Sequence, residues 1–267
     1  MSDLELNLVE RGKGEPAIIF VHGFTCNLSN WNEQLSGLSG SYRCLAVDLP
    51  GHGASDAPRK ATIEALAEAV NDTLDARKLN EVVLVGHSMG CRVVSEAFSQ
   101  SPGRIRGLVH VDGSAVAAGN ADAAVKQYEQ TIDRIGMDVF LKQLYDGFFV
   151  DTTPGVIRDV VNAGLPGIKM DFARELWFNL VRWDASRFRA LLSNIDVPLL
   201  LIQSTFLDPD LKRMSLAPGQ ITPWMDEVAK AVQGVSMKVV PGVGHFTMLE
   251  APQQTNDAIA QFAGQFE

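Results

Sequence analysis

The sequence predicts an α/β fold in which helices flank a mostly parallel central sheet. Short apolar runs rich in β-branched residues recur along the chain, and such runs are typical of strands buried on both faces of a parallel sheet. Helical patterns lie between these runs, and one long helix-like stretch interrupts the alternation. Because strands that alternate with helices imply right-handed βαβ crossovers, the pattern predicts a parallel sheet with an inserted helical segment.

The order of the elements follows from the hydrophobic periodicity. Strands are predicted at residues 17–21, 45–47, 81–85, 107–111, 197–203 and 237–240, with an alternating edge strand within residues 3–11. Helices are predicted at residues 62–78, 89–101 and 251–266. The first of these helices has apolar residues at a spacing near 3.6, which indicates one face turned toward a core.

The alternation of strands and helices breaks at residues 115–192, which are rich in large aromatic side chains. We interpret this stretch as a helical cap inserted into a core domain made of residues 1–114 and 193–267. Most of its aromatic residues are expected to form the core of the cap. Trp177 and Trp183 are the candidates to face a substrate.

Composition and charge exclude several classes of function. The chain has 267 residues, a formal net charge of −9 and no basic run, so neither nucleic acid nor a membrane is an expected partner. Cys26, Cys44 and Cys91 are odd in number and widely spaced, which argues against a disulfide framework. The chain lacks a signal-like start and an apolar run of about 20 residues. We therefore expect a cytoplasmic protein acting on a small molecule; the sequence leaves the oligomeric state open.

The strongest local signal is the run Val-Gly-His-Ser-Met-Gly at residues 85–90. It connects a predicted buried strand to a predicted helix. Glycines are needed on both sides of Ser88 because a Cβ there would collide with neighbouring backbone in so sharp a turn. The turn holds the serine at a helix N-terminus, where the helix dipole favours developing negative charge. We predict that Ser88 is a nucleophile.

Two further motifs complete a possible catalytic site. The strand ending at His22-Gly23 is followed by Phe24, whose N–H, together with that of Met89, would form a two-donor oxyanion hole. We expect His22 itself to be a turn residue bonded to the backbone. His245 follows the last predicted strand in a glycine-rich loop, which allows it to reach Ser88 as general base.

These motifs resemble the α/β-hydrolase superfamily, and specifically its capped esterases, lactonases and C–C hydrolases. The resemblance covers nearly the whole chain: His22-Gly23, residues 48–55, residues 86–90 and residues 244–246. It implies an α/β-hydrolase fold and a Ser-His-Asp triad, with Asp48 in a structural turn. Epoxide hydrolases and haloalkane dehalogenases are excluded, because Ser88 cannot form the ester intermediate that their carboxylate forms.

The acid of the triad departs from the family pattern. The resemblance places it shortly after the strand at residues 197–203, in a Gly-x-x-Asp turn, but this chain lacks that glycine. Asp208 is preferred because Asp-Pro makes a turn at the end of the strand. Asp112, at the end of the strand at residues 107–111, and Asp210 are the alternatives.

The expected function is a serine hydrolase that cleaves an ester, lactone or related carbonyl bond through an acyl-enzyme. The alternatives are a cofactor-free dioxygenase, a perhydrolase, a C–C lyase or a transferase on the same residues, or a ligand-binding receptor that retains the triad. No His-Glu-x-x-His pair, Walker A sequence or complete Gly-x-Gly-x-x-Gly motif is present. We therefore expect neither a metal site nor a cofactor.

Overall fold

A seven-stranded sheet forms the centre of the computed structural model, which describes residues 5–164, 167–208 and 212–267. The strands are β1 (Leu8–Arg11), β2 (Ala17–Val21), β3 (Cys44–Val47), β4 (Val82–His87), β5 (Ile105–Val111), β6 (Leu199–Gln203), β7 (Thr205–Leu207), β8 (Arg213–Ser215) and β9 (Ser236–Val239). The order in the sheet is β1-β3-β2-β4-β5-β6-β9, and β1 is antiparallel to β3 while the other pairs are parallel. Strands β7 and β8 form a separate antiparallel pair.

Helices lie before, between and after these strands. They are α1 (Asn32–Leu38), α2 (Ile63–Ala76), α3 (Met89–Gln100), α4 (Ala121–Ile135), α5 (Met137–Asp146), α6 (Gly155–Asn162), α7 (Met170–Ser186), α8 (Phe188–Leu192), α9 (Pro223–Ala231), α10 (Thr247–Glu250) and α11 (Pro252–Ala263). Thr62 caps α2, since its side chain accepts a hydrogen bond from the N–H of Ala65 at 3.1 Å. The predicted mostly parallel α/β fold is confirmed.

The core has two parts, one on each face of the sheet. Along β2, Ile19 belongs to the cluster that includes α2, α3 and α7, whereas Ile18 and Phe20 belong to the cluster that includes α1 and α11. All five residues of β2 are buried. Because successive side chains of a strand point to opposite faces, a strand covered on both sides must be apolar throughout. Each such aliphatic side chain contributes about 1.5–3 kcal/mol relative to exposure.

Five α-helices of the described chain, α4 to α8, lie between β5 and β6, where the sequence predicts an insertion. Helix α7 is joined to α3 by a buried ion pair in which Arg92 Nε and Asp184 Oδ1 are 2.7 Å apart. Arg92 Nη1 also donates to the carbonyl of Ser88 at 3.1 Å. The inserted helices are thereby connected directly to the turn that carries Ser88.

Among the described residues, no helix combines the length and apolar character that crossing a bilayer demands.

Candidate active site

Ser88 occupies the turn between β4 and α3 with φ 54° and ψ −114°. A positive φ is unfavourable for a residue with a Cβ, and such strain persists only where the surrounding structure imposes it. The N–H of Ser88 continues the sheet by donating to the carbonyl of Val111 at 3.1 Å. The serine side chain does not cap α3, and the residue is partly exposed. The hydroxyl is therefore available to a ligand.

The glycines on both sides of Ser88 allow the turn to close. A Cβ on Gly86 would overlap the carbonyl group of Gly90, and a Cβ on Gly90 would overlap the carbonyl oxygen of Val21. Both clashes are with backbone atoms, which cannot rotate away. The predicted steric need for glycine at these positions is confirmed.

Replacing Gly86 with alanine should destabilise the protein by about 1–3 kcal/mol or more, because overpacking forces the backbone to shift. The matched control is Gly103→Ala, since a Cβ on Gly103 meets no atom within 4 Å. Urea denaturation followed by circular dichroism measures both free energies of unfolding. Equal stability of the two variants would contradict the steric argument.

The two predicted oxyanion donors lie beside the serine. The loop after β2 approaches the turn so closely that a Cβ on Gly23 would lie 3.2 Å from Ser88 Cβ. No described residue accepts a hydrogen bond from the N–H of Phe24 or of Met89. Both groups are therefore available to a developing oxyanion, and their role stays a prediction.

His22 holds this loop in place. Its Nδ1 donates to the carbonyl of Gly23 at 2.8 Å, and its Nε2 accepts from the N–H of Leu49 at 2.9 Å. Burial lowers the pKa of His22 to about 4, so the imidazole is neutral. The predicted role as a backbone-bonded turn residue is confirmed. Asp48 is structural in the same way, since its carboxylate accepts from the N–H groups of Leu28 and Ala54.

His245 lies in the loop after β9 and is almost fully buried. Its Nδ1 is 2.6 Å from Asp112 Oδ2, and its carbonyl accepts from Nε2 of His87, the residue before Ser88, at 2.9 Å. The ring lies 4.7 Å from the rings of both His87 and Phe148. Nε2 of His245 has no hydrogen-bond partner among the described residues. The bond to Asp112 therefore holds the imidazole by one nitrogen and leaves the other one available as a base.

The preferred assignment of Asp208 as the partner of His245 is wrong, because Asp112 takes that position. Asp208 lies at the end of β7, where its N–H donates to the carbonyl of Lys212 and its Oδ1 accepts from the N–H of Lys212, both at 2.9 Å. Its carboxylate therefore connects the end of β7 to the residue before β8. Asp210, the other alternative, lies outside the described residues.

Asp112 is fully buried and accepts six hydrogen bonds. The donors are Gln203 Nε2, the N–H and hydroxyl of Ser204, the N–H and hydroxyl of Thr205, and His245 Nδ1. Burial by itself raises the pKa of this carboxyl, but these bonds and the nearby positive charges outweigh it and lower the pKa. Asp112 is therefore an anion with a fixed orientation.

Sequence reasoning missed the residues that surround this carboxylate. Arg213 on β8 is buried, with Nη1 2.7 Å from Thr205 Oγ1 and 3.5 Å from Asp112 Oδ2. Its guanidinium lies 5.6 Å from the ring centroid of Phe148. No sequence motif indicates a role for Arg213, because an isolated arginine in a polar stretch is usually an exposed surface residue.

The pKa of His245 is lowered to about 4. Burial is the largest cause, and the positive charge of Arg213 adds to it, while the hydrogen bond and charge of Asp112 act in the opposite direction. Burial also lowers the pKa of His87, the neighbouring imidazole. His245 is thus neutral at pH 7, which is the state a general base requires.

The acid limb of kcat/KM should therefore have its midpoint below 6.5, the ordinary value for histidine. The direction of this shift follows because the neutral imidazole is the active form. A lowered pKa of His245 keeps the base unprotonated, and the enzyme active, to lower pH. A pH–rate profile on a substrate that does not ionise measures this midpoint. A midpoint at or above 6.5 would contradict the electrostatic account.

The two tryptophans proposed as substrate contacts lie in different surroundings. Trp177 packs against Phe24, with ring centroids 5.4 Å apart, so it is close to the loop that carries a predicted oxyanion donor. Trp183 is 2% exposed, and its indole N–H donates to Glu96 Oε2 at 3.1 Å. Trp183 therefore belongs to the contact between α7 and α3, which corrects its assignment to a substrate surface.

The fold and the arrangement of the site have the features of an α/β-hydrolase. The model of the alpha/beta hydrolase family matches residues 18–258. The chain therefore belongs to the α/β-hydrolase family, as its sequence motifs predict.

Several curated proteins are similar in sequence. The chain is 26% identical to the protein PHYLLO, chloroplastic, of Arabidopsis thaliana over 95% of its own length and 16% of that protein. It is also 26% identical to the dihydrolipoyllysine-residue acetyltransferase component of the acetoin cleaving system of Pseudomonas putida. That match covers 94% of this chain and 64% of the relative. An epoxide hydrolase of Caballeronia sordidicola is 31% identical, and the match covers 47% of this chain and 39% of the relative. The chain thus spans less than two thirds of the length of these relatives.

Solved structures share the fold over nearly the whole chain. Est816, an N-acyl homoserine lactone degrading enzyme, has a TM-score of 0.79 and 22% identity over 98% of both chains. The enol-lactonase of Burkholderia xenovorans LB400 has a TM-score of 0.76 and 22% identity over 98% of this chain and 97% of its own. At this level of identity the likeness extends to the fold alone.

Proposed function

We propose that this protein is a serine hydrolase that cleaves an ester, lactone or related carbonyl bond in a small to medium, mainly apolar substrate. The observation that carries the proposal is the bond between Asp112 and Nδ1 of His245, which leaves Nε2 unpartnered in a ring that lies 4.7 Å from the ring of His87, the residue before Ser88. A buried aspartate, an oriented histidine and an accessible serine are the three parts that acyl transfer requires.

The reaction runs in two balanced steps. In the first, Ser88 Oγ attacks the substrate carbonyl carbon while Nε2 of His245 takes the hydroxyl proton, and the N–H groups of Phe24 and Met89 stabilise the oxyanion. The tetrahedral intermediate expels the leaving group, which receives that proton. In the second step, water loses a proton to Nε2 of His245 and attacks the acyl carbon; the acyl–Oγ bond then breaks, the acid leaves, and Ser88 Oγ takes the proton back from His245. Asp112 holds the imidazole tautomer and stabilises the imidazolium in both steps.

Two features support a small, mainly apolar substrate. Helices α4 to α8 are inserted after Asp112, and we assign residues 115–192 to a cap over the site. Trp177 of this segment contacts Phe24, so an aromatic side chain of the segment lies next to the residue whose N–H is the proposed oxyanion donor. Esterases and lactonases are among the proteins with this fold. Epoxide opening is not proposed, because a serine in place of a carboxylate cannot form the required ester.

A fluorophosphonate label tests the proposal directly. The probe reacts only with a serine that an adjacent base activates, so peptide mapping should find the label on Ser88. Labelling should abolish hydrolysis of short p-nitrophenyl esters in proportion to the labelled fraction. A protein that is folded but neither labelled nor able to hydrolyse esters and lactones would refute the proposal.

A further inference from the structure

A cavity of about 360 Å³ lies next to the proposed triad acid. Its walls come from residues 113–118, the strands β7 and β8, and the beginning of α9. Neither Ser88 nor His245 lines it, so it is separate from the site of the chemistry. Its volume lies within the range of small-molecule sites, which begins at about 300 Å³.

Three polar atoms on residues of this cavity have no partner in the described part of the chain. They are Nε of Arg213, Oε1 of Gln203 and Nε1 of Trp224. Arg213 is 9% exposed and Gln203 is 3% exposed. Buried polar groups are nearly always hydrogen-bonded in native proteins, so several unsatisfied groups around one cavity point to a bound polar molecule.

Nε of the Arg213 guanidinium has no hydrogen-bond partner within the described part of the chain. The hydrogen bond of this guanidinium goes from Nη1 to Thr205 Oγ1, at 2.7 Å. Asp112 is 3.5 Å from the same nitrogen, but this carboxylate already accepts six hydrogen bonds from other donors. An arginine fork fits a carboxylate in a bidentate manner, so a carboxylate is the group that the remaining donors would bind best.

Charge and shape narrow the ligand further. The other two charged residues of the cavity, Arg189 and Glu227, form an ion pair at 2.5 Å. Arg213 has its nearest anion, Asp112, at the longer distance of 3.5 Å, so it is the cation of the cavity wall that can still pair with a ligand. Val116, Phe206 and Trp224 add apolar surface. We propose that this cavity is a binding site for a small monocarboxylate with an apolar body, whose carboxylate pairs with Arg213.

The position of Arg213 couples this site to the proposed triad. His245 is faced by Asp112, by the rings of His87 and Phe148, and by the positive charges of Arg213 and Arg92. The positive charge of Arg213 disfavours the imidazolium form of His245. A bound carboxylate would cancel that charge and so raise the pKa of His245. Occupancy should therefore move the acid limb of kcat/KM to higher pH. This coupling rests on the proposed function, whereas binding itself does not.

Titration calorimetry with benzoate as the probe tests the site on the full chain. Benzoate should bind saturably, and binding should persist after a fluorophosphonate has blocked Ser88. Arg213→Met should weaken the benzoate Kd by at least about tenfold, the loss of one charge-assisted hydrogen bond. The matched control is Arg189→Gln, which removes the paired cation from the same cavity and should change Kd by less than about twofold.

A second variant covers the case in which Arg213→Met does not fold. Ala117→Phe adds a ring to the cavity wall without removing a charge, and it should weaken benzoate binding while ester hydrolysis continues. The proposal is overturned by no saturable binding, by loss of binding after the serine is blocked, or by a Kd that neither Arg213→Met nor Ala117→Phe changes. If the fluorophosphonate does not react, the proposed function fails, and these variants still decide the binding site.

Discussion

Replacing Ser88 with alanine is expected to lower kcat for a p-nitrophenyl ester by about a millionfold, the loss that follows when the nucleophile of a serine hydrolase is removed. The reason is that no covalent acyl-enzyme can form without the hydroxyl, while the rest of the site can still bind substrate. The fold should be kept, because the serine side chain does not cap α3. Steady-state kinetics and a thermal melt measure the two effects.

Ser99→Ala is the matched control, since Ser99 is an exposed serine on the same helix, α3. Its kcat and melting temperature should equal those of the unmodified protein. A folded Ser88→Ala variant that loses less than about a hundredfold in kcat would remove Ser88 from the mechanism. The result would then favour a non-covalent use of the same site.

Asp112→Asn is expected to lower kcat by about ten thousandfold. Asparagine fills the same space, but it cannot hold the imidazole in the required tautomer or stabilise the imidazolium. The NH₂ group of asparagine is a hydrogen-bond donor, and the N–H groups of Ser204 and Thr205 already donate to this side chain. The variant would therefore bring donors together where the carboxylate accepts. The measurement is kcat for the same ester at a pH on the plateau of the profile.

Asp208→Asn provides the comparison for the acid. Because the Asp208 carboxylate accepts from the N–H of Lys212 within the hairpin, this variant should keep kcat within about twofold. Asp112→Asn also leaves Arg213 without its nearest anion, and breaking a buried pair costs about 3–5 kcal/mol. Urea denaturation therefore has to accompany the kinetics. A folded Asp112→Asn variant with near-normal kcat, or an inactive Asp208→Asn variant, would contradict the assignment.

The strands and the serine turn could be predicted from the sequence because their determinants are local. A strand buried on both faces must be apolar throughout, as β2 is. The glycines of residues 86–90 are required by contacts with backbone that lies close to the turn. The same holds for His22, whose two hydrogen bonds go to neighbouring loop backbone. In each case the residue type and its immediate sequence context carry the physical constraint.

The acid could not be chosen from the sequence, because the two candidates come after β5 and β6, which are neighbouring parallel strands of the central sheet. Asp112 directly follows β5, and Asp208 follows β6 at a distance of five residues, beyond the short strand β7 of the separate antiparallel pair. The choice depends on which carboxylate the donors of Gln203, Ser204 and Thr205 surround. Those donors come from the adjacent strand β6 and the residues after it, and no short-range pattern records that convergence.

The amino-acid sequence by itself determined the α/β architecture, the sharp turn that presents Ser88 and the loop that carries His245, because backbone sterics and hydrophobic periodicity act within a few residues. Tertiary structure alone decided that Asp112 bonds to His245 and that the charge of Arg213 lies beside them. These groups are far apart along the chain, and their electrostatic interaction depends on distances of a few ångströms that arise only when β5, β6 and β8 pack together.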